Sequence, residues 1–125
     1  ETSRRHVPLV GDALEAAKEA LKLAKGSTML FPEYGRDRGG DAASAALMRQ
    51  VRKVTTDDKH VVHSLRHNMK DRLMLAEVAS LDQNLILGHA LGGVGDRVYG
   101  GDAAKLRVTT RAMRRAFGLS ETTED

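Results

Sequence analysis

His63-Ser64-Leu65-Arg66-His67-Asn68-Met69-Lys70-Asp71-Arg72-Leu73-Met74-Leu75-Ala76 is the stretch whose reading decides the fold. Leu65, Met69, Leu73 and Ala76 recur at i, i+4, i+8 and i+11, the period of a helix with one buried face. The spacing predicts a helix from about Ser64 to Val78. His63, Arg66, His67 and Lys70 fall at i, i+3, i+4 and i+7, so they share a second face beside the first. The helix thus carries a basic stripe next to a core stripe, and its N-terminus adds partial positive charge there. Such a stripe suits a phosphodiester, and the planar fork of Arg66 can hold two non-bridging oxygens. Taken alone, a basic stripe on a helix is more often a solvated face. His67 reads equally well as a helix anchor bonded to backbone, and Lys70 as solvent-exposed.

Working outward, Leu81-Asp82 starts a short helix with Leu85 and Ile86 inward, and Gly88 stands near its end, just before His89. Residues 90–101 contain Gly92, Gly93, Gly95, Gly100 and Gly101 and read as a mobile loop around Tyr99. Asp102 reads as the N-cap of a last helix from about Ala103 to Phe117, with Leu106, Met113 and Phe117 among its apolar positions. Gly118 closes it, and Ser120 to Asp125 is a polar tail.

Upstream, Thr2-Ser3-Arg4-Arg5-His6-Val7-Pro8-Leu9 reads as a short extended segment stopped by Pro8. Asp12 reads as the N-cap of a helix whose apolar positions are Ala13, Leu14, Ala17, Ala20, Leu21 and Ala24, with Gly26 ending it. Met29-Leu30-Phe31-Pro32 is a short strand or extended link. A further helix is expected from about Asp41 to Val54, with Ala42, Ala45, Ala46 and Val51 as its small apolar face. The expected class is mainly α, with a remnant of a small β-sheet near the N-terminus.

The 125 residues suffice for one domain with a modest core. The chain opens on Glu1 in mid-pattern and reads as a piece of a longer protein. There is no cysteine, so disulfide and thiolate chemistry are excluded. No apolar run approaches the roughly 20 residues of a membrane span, and no signal peptide opens the chain. A cytoplasmic protein is expected. The formal net charge is +3, with Arg107, Arg111, Arg114 and Arg115 set late and an acidic tail after them. The aromatic residues are Phe31, Tyr34, Tyr99 and Phe117. Stacking on single-stranded bases therefore has little to work with. A duplex held through its phosphates fits better.

Tyr99 follows Gly95-Asp96-Arg97-Val98 and precedes Gly100-Gly101, so it sits among glycines rather than in an apolar run. Its phenol, with an ordinary pKa near ~10, must lose a proton to act as a nucleophile, and a nearby positive charge would help. By itself Tyr99 reads as a loop anchor. The histidines raise the question of a metal, because His63 and His67 at i, i+4 put two imidazoles on one side of a helix. But no glutamate lies between them, and Arg66 beside a cation would be unfavourable. No metal is expected.

Taken in order, these residues resemble the tyrosine recombinase (phage integrase) family. Ser3-Arg4-Arg5-His6-Val7-Pro8-Leu9 looks like the family's Ser-x-Arg-x-Val-Pro-Leu strand. His63-Ser64-Leu65-Arg66-His67 is similar to its His-x-Leu-Arg-His box, Leu87-Gly88-His89 to its Leu-Gly-His box, and Tyr99 stands at the nucleophile. The resemblance implies the C-terminal part of an integrase-type catalytic domain. Residues 1–10 would form a sheet edge, 12–89 a helical core, 90–101 the nucleophile loop, and 102–125 a C-terminal helix and tail.

The resemblance also implies roles. Tyr99 would attack the scissile phosphate, Arg66 would bind it, His63 would contact it and take part in proton transfer, and His89 would donate a hydrogen bond to it. His67 would be structural, with Lys70 at most a phosphate contact. Exchange of strands would need neither ATP nor any other cofactor. The partners would be a duplex attachment site and three further copies in a synaptic tetramer, with residues 1–125 monomeric by themselves and the protein nucleoid-associated. The family's first arginine and its hairpin lysine have no counterpart in residues 1–125, so this stretch alone is expected to be inactive. The interval from His89 to Tyr99 is ten residues, one more than the commonest family spacing. Gly100 also stands where a polar residue or histidine is frequent. Two alternatives stay open: a non-catalytic duplex-binding relic of the same fold, and strand relaxation in the manner of a type IB topoisomerase.

Overall fold

The computed structural model describes residues 4–89 and 101–120. Among them are five α-helices: α1 (Gly11–Leu23), α2 (Gly39–Val54), α3 (Ser64–Leu75), α4 (Ser80–Leu87) and α5 (Asp102–Ala116). One turn of 3-10 helix, Pro32–Tyr34, lies between α1 and α2. The chain is mainly helical, as its apolar periods predict, and no strand occurs among the described residues. The expected sheet edge over residues 1–10 is therefore corrected for its described part, 4–10. A strand needs a neighbouring ladder to satisfy its N–H and C=O groups, and the described residues supply none. Pro8 and Val10 are nevertheless buried while Val7 and Leu9 are exposed, so the segment keeps the alternation of an extended chain without its partner. Of the two forms expected for Met29–Pro32, a short strand or an extended link, the strand is absent, and Pro32 opens the 3-10 turn.

The chain divides into two compact units. Unit 1 comprises residues 1–14 and 69–125, and unit 2 comprises residues 15–68. Unit 1 holds the hydrophobic core: Val10, Leu73, Val78, Ile86, Leu87, Ala112 and Met113, with Met69, Ala76, Ala116 and Leu119 packed against it. Helices α4 and α5 pack on each other within it. Of the stripe predicted on α3, Met69, Leu73 and Ala76 face this core, but Leu65 is 62% exposed. In α4 the inward pair is Ile86 and Leu87 rather than Leu85 and Ile86. In α5 the buried residues are Thr109, Ala112 and Met113, while Leu106 and Phe117 are exposed. Buried Thr109 leaves no polar atom unsatisfied, because its hydroxyl donates to the Lys105 carbonyl at 2.8 Å.

The ends of the unit 1 helices are closed by backbone caps. At the end of α3, Val78 N–H donates to Leu73 O at 3.0 Å and Glu77 N–H to Met74 O at 2.9 Å. This is the Schellman pattern, and its usual apolar contact is supplied by Val78 and Leu73, both in the core. Arg115 strengthens the cap, donating from Nε to Ala76 O at 2.8 Å. After α5, Leu119 N–H reaches Arg114 O at 2.8 Å, and the Leu119 side chain folds back onto its own core. The tail to Ser120 is thus docked in cis.

Unit 2 contains the rest of α1, the 3-10 turn, α2 and the first residues of α3. Along the unit 2 part of α1, Ala17 and Ala20 are the less exposed positions and Leu21 is exposed, while Ala24, just past the helix, is buried. On α2, Ala42, Ala46 and Val51 are partly buried and Ala45 is exposed. The 3-10 turn lies against the start of α2 through Gly39. A Cβ built there would stand 1.8 Å from the Tyr34 carbonyl oxygen, so backbone must move for any side chain. Gly39→Ala is expected to destabilise the start of α2 by about 2 kcal/mol. Hydrogen exchange of the amides at 42–46 measures this, and unchanged protection would contradict the packing.

Candidate functional site

The expected phosphate-binding face begins where a loop delivers the chain into α3. Arg52, near the end of α2, organises that loop. Its Nη1 donates to His60 O at 2.8 Å, to Asp57 O at 3.0 Å and to Thr55 O at 3.4 Å. One guanidinium therefore donates to three carbonyls that lie outside any helix. Thr55 Oγ1 bonds His60 Nδ1 at 2.8 Å, and Asp57 Oδ1 accepts from Lys59 N–H at 2.9 Å. Ser64 Oγ accepts from Val61 N–H at 3.0 Å. The first bonds of α3 are tight, with Arg66 N–H donating to His63 O at 3.0 Å.

His63 immediately precedes α3, and Arg66 and His67 stand in its first two turns. The His63 and His67 rings meet edge to face, with centroids 5.4 Å apart. Both are exposed, and Arg66 is partly buried. The i, i+4 spacing thus brings the two imidazoles together as predicted. Lys70 is exposed, further along α3 in the portion belonging to unit 1. Tyr99 lies outside the described residues. Among the described residues no three His, Asp or Glu side chains gather where a metal ion could be held. No helix there is long and apolar enough to cross a membrane.

His89, also exposed, belongs to unit 1 and follows α4 directly. Gly88 ends that helix in the left-handed region at φ +77°. Gly88 N–H donates to Asn84 O at 2.8 Å, and His89 N–H donates to the same oxygen at 3.1 Å. The Leu-Gly-His order is thus a helix ending: Leu87 in the core, Gly88 making the left-handed turn, and His89 leaving with its backbone held. Arg5 also reaches this point, donating from Nε to Ile86 O at 3.1 Å.

The four late arginines do different things. Arg114 donates to Ser120 O and Arg115 to the end of α3, both joining one part of unit 1 to another. Arg107 and Arg111 lie exposed on α5 one turn apart, on the side away from Thr109, Ala112 and Met113. Arg72 sits over the Phe117 ring at 5.3 Å, which explains how Phe117 is tolerated half in solvent.

Asp82 lies in the first turn of α4. Burial pushes its carboxyl above the ordinary 3.8, and the charge of Arg115 pulls it part of the way back. The folded chain therefore holds this proton more tightly than the unfolded chain. The stability Asp82 contributes is fully present below pH 3.8 and is lost as pH rises through the raised folded value. Urea unfolding of wild type and Asp82→Asn checks this. The wild type is expected to lose stability relative to the variant between pH 3.8 and neutrality; a difference that does not change with pH would contradict it.

Comparison with known proteins finds no match: no family model, no curated protein and no solved structure corresponds to the chain.

Proposed function

We propose that this chain carries the phosphate-binding and nucleophile elements of a tyrosine-recombinase-type site that cuts and rejoins duplex DNA. The observation that carries the reading is the ordered set His63-Ser-Leu-Arg66-His67, Leu87-Gly88-His89 and Tyr99. Support comes from the local settings of these groups. Arg66 stands in the first turn of a helix, where the N-terminal partial charge adds to its own. His89 leaves a capped helix end with its backbone fixed.

In the proposed reaction the Tyr99 phenolate oxygen attacks the scissile phosphorus. A P–Oη bond forms and the P–O5′ bond breaks, leaving a 3′-phosphotyrosine and a 5′-oxygen that takes up a proton. Attack by a 5′-hydroxyl of another strand reverses the steps and releases the tyrosine. Arg66 neutralises the equatorial oxygens of the transition state. His63 and His89 donate to the same phosphate, and His63 serves the proton transfer at Tyr99. Synapsis as a tetramer at an attachment site, and site-specific integration or excision as the outcome, belong to the same proposal.

Arg66→Ala is expected to slow single-turnover cleavage about a hundredfold, with duplex affinity changed much less. Arg66→Lys should recover part of the loss, since a point charge replaces a planar fork. The substrates are nicked duplexes covering the DNA around the protein's own gene, and the protein is expressed from its full reading frame. A second reading keeps the fold and the duplex binding without the chemistry. A duplex-binding relic would bind these DNAs with salt-dependent affinity and cleave none of them.

A further inference from the structure

We propose that Arg5 is the positioning residue of the Leu87-Gly88-His89 turn, holding the backbone from which the His89 imidazole projects. The sequence offers residues 1–10 as a sheet edge, and among the described residues there is no strand for 4–10 to join. Yet Arg5 makes a contact spanning 81 residues of sequence, from its Nε to the Ile86 carbonyl at 3.1 Å. That carbonyl is one of the last in α4, which have no partner within their own helix. A guanidinium is well suited to it, being cationic at the negative end of the helix.

A second observation points to the same place. A Cβ built on Gly88 would lie 2.4 Å from Arg5 Nη1 and 2.5 Å from Cζ. The guanidinium therefore lies close against the glycine. Gly88 is favoured there by its φ of +77°, and Arg5 packs closely over it. Asn84 O meanwhile accepts the N–H groups of both Gly88 and His89. His89 is thus fixed on one side by the helix it leaves and on the other by an arginine from the far end of the chain. Pro8 and Val10, buried in unit 1, anchor the segment that presents Arg5. The role of this turn in DNA chemistry rests on the proposed function; the holding of the turn does not.

The test compares Arg5→Ala, Arg5→Lys and Arg4→Ala in the intact 125-residue chain by amide hydrogen exchange. Arg4→Ala removes the same charge from the same segment without touching the turn. In Arg5→Ala the Gly88 and His89 amides are expected to exchange about tenfold faster or more, with Leu73 and Met113 unchanged. Arg5→Lys should restore part of the protection, and Arg4→Ala should alter nothing. Unchanged exchange at His89 in Arg5→Ala would overturn the proposal. So would equal loss at Leu73 and Met113, which would make Arg5 a general strut. In the full-length protein on nicked duplex, Arg5→Ala should lower the cleavage rate and leave duplex affinity unchanged. Wild-type protein that never cleaves would refute the proposed function, while the exchange result still decides whether Arg5 holds the turn.

Discussion

Leu73→Ala is expected to remove about 4 kcal/mol from the stability of unit 1. Leu73 is 0% exposed and stands where the end of α3 meets the rest of the core. Its side chain packs in the cluster with Val78, Ile86, Leu87, Ala112 and Met113. The loss combines the transfer of three carbons and their hydrogens out of water with the void they leave. Collapse into that void is resisted, because the Leu73 carbonyl is also the acceptor for Val78 N–H in the α3 cap. A domain of this size has only about 5–15 kcal/mol in total, so much of unit 1's margin would go. Leu65→Ala is the internal control. It belongs to the same predicted stripe but is 62% exposed, and should change stability by less than about 0.5 kcal/mol. Urea unfolding of both variants checks the pair, and similar losses would contradict the described core.

The contrast between Leu65 and Leu73 shows how much of the fold the sequence carries. Periodicity marks the helices well, since an amphipathic face is a local property. Thus α2, α3, α4 and α5 lie close to where their apolar spacing, Gly88 and Gly118 put them. Which part of a stripe is covered depends on what the rest of the chain brings to it, so Leu65 and Leu106 carry the same pattern as buried residues and remain outside. The expected sheet edge is absent over its described part, 4–10, for the same reason: its period is local, its partner is not.

Within the candidate site, the pairing of His63 with His67 was legible from i, i+4 spacing alone. The work of Arg5, Arg52 and Arg115 was not. Each donates to backbone carbonyls, which every residue possesses, so no complementary residue in the sequence betrays the contact. The only trace of Arg5 was its place in the Arg-x-Val-Pro-Leu segment, and that pointed to a sheet. In the late arginine run, composition gives one basic patch where the fold separates two internal ties from two solvent-facing side chains.

Tyr99→Phe should abolish covalent attachment to DNA while leaving duplex binding intact. The substitution removes one oxygen, the atom that would attack phosphorus. Phenylalanine fills the same volume, so no packing argument can account for a loss. Nothing else in the set His63, Arg66, His67, Lys70 and His89 could replace it with a phosphotyrosyl link. Unlike Arg66→Ala, where residual phosphate binding leaves some turnover, the expected effect here is complete, because the nucleophile itself is gone.

The most direct measurement is therefore the covalent adduct. Protein expressed from its full reading frame is incubated with nicked duplexes spanning the DNA around its own gene, then denatured and run on a gel. The expected result is a slow DNA band that protease removes, present with wild type and absent with Tyr99→Phe. A wild type that binds these duplexes and yields no such band, or a band that survives in Tyr99→Phe, would contradict it.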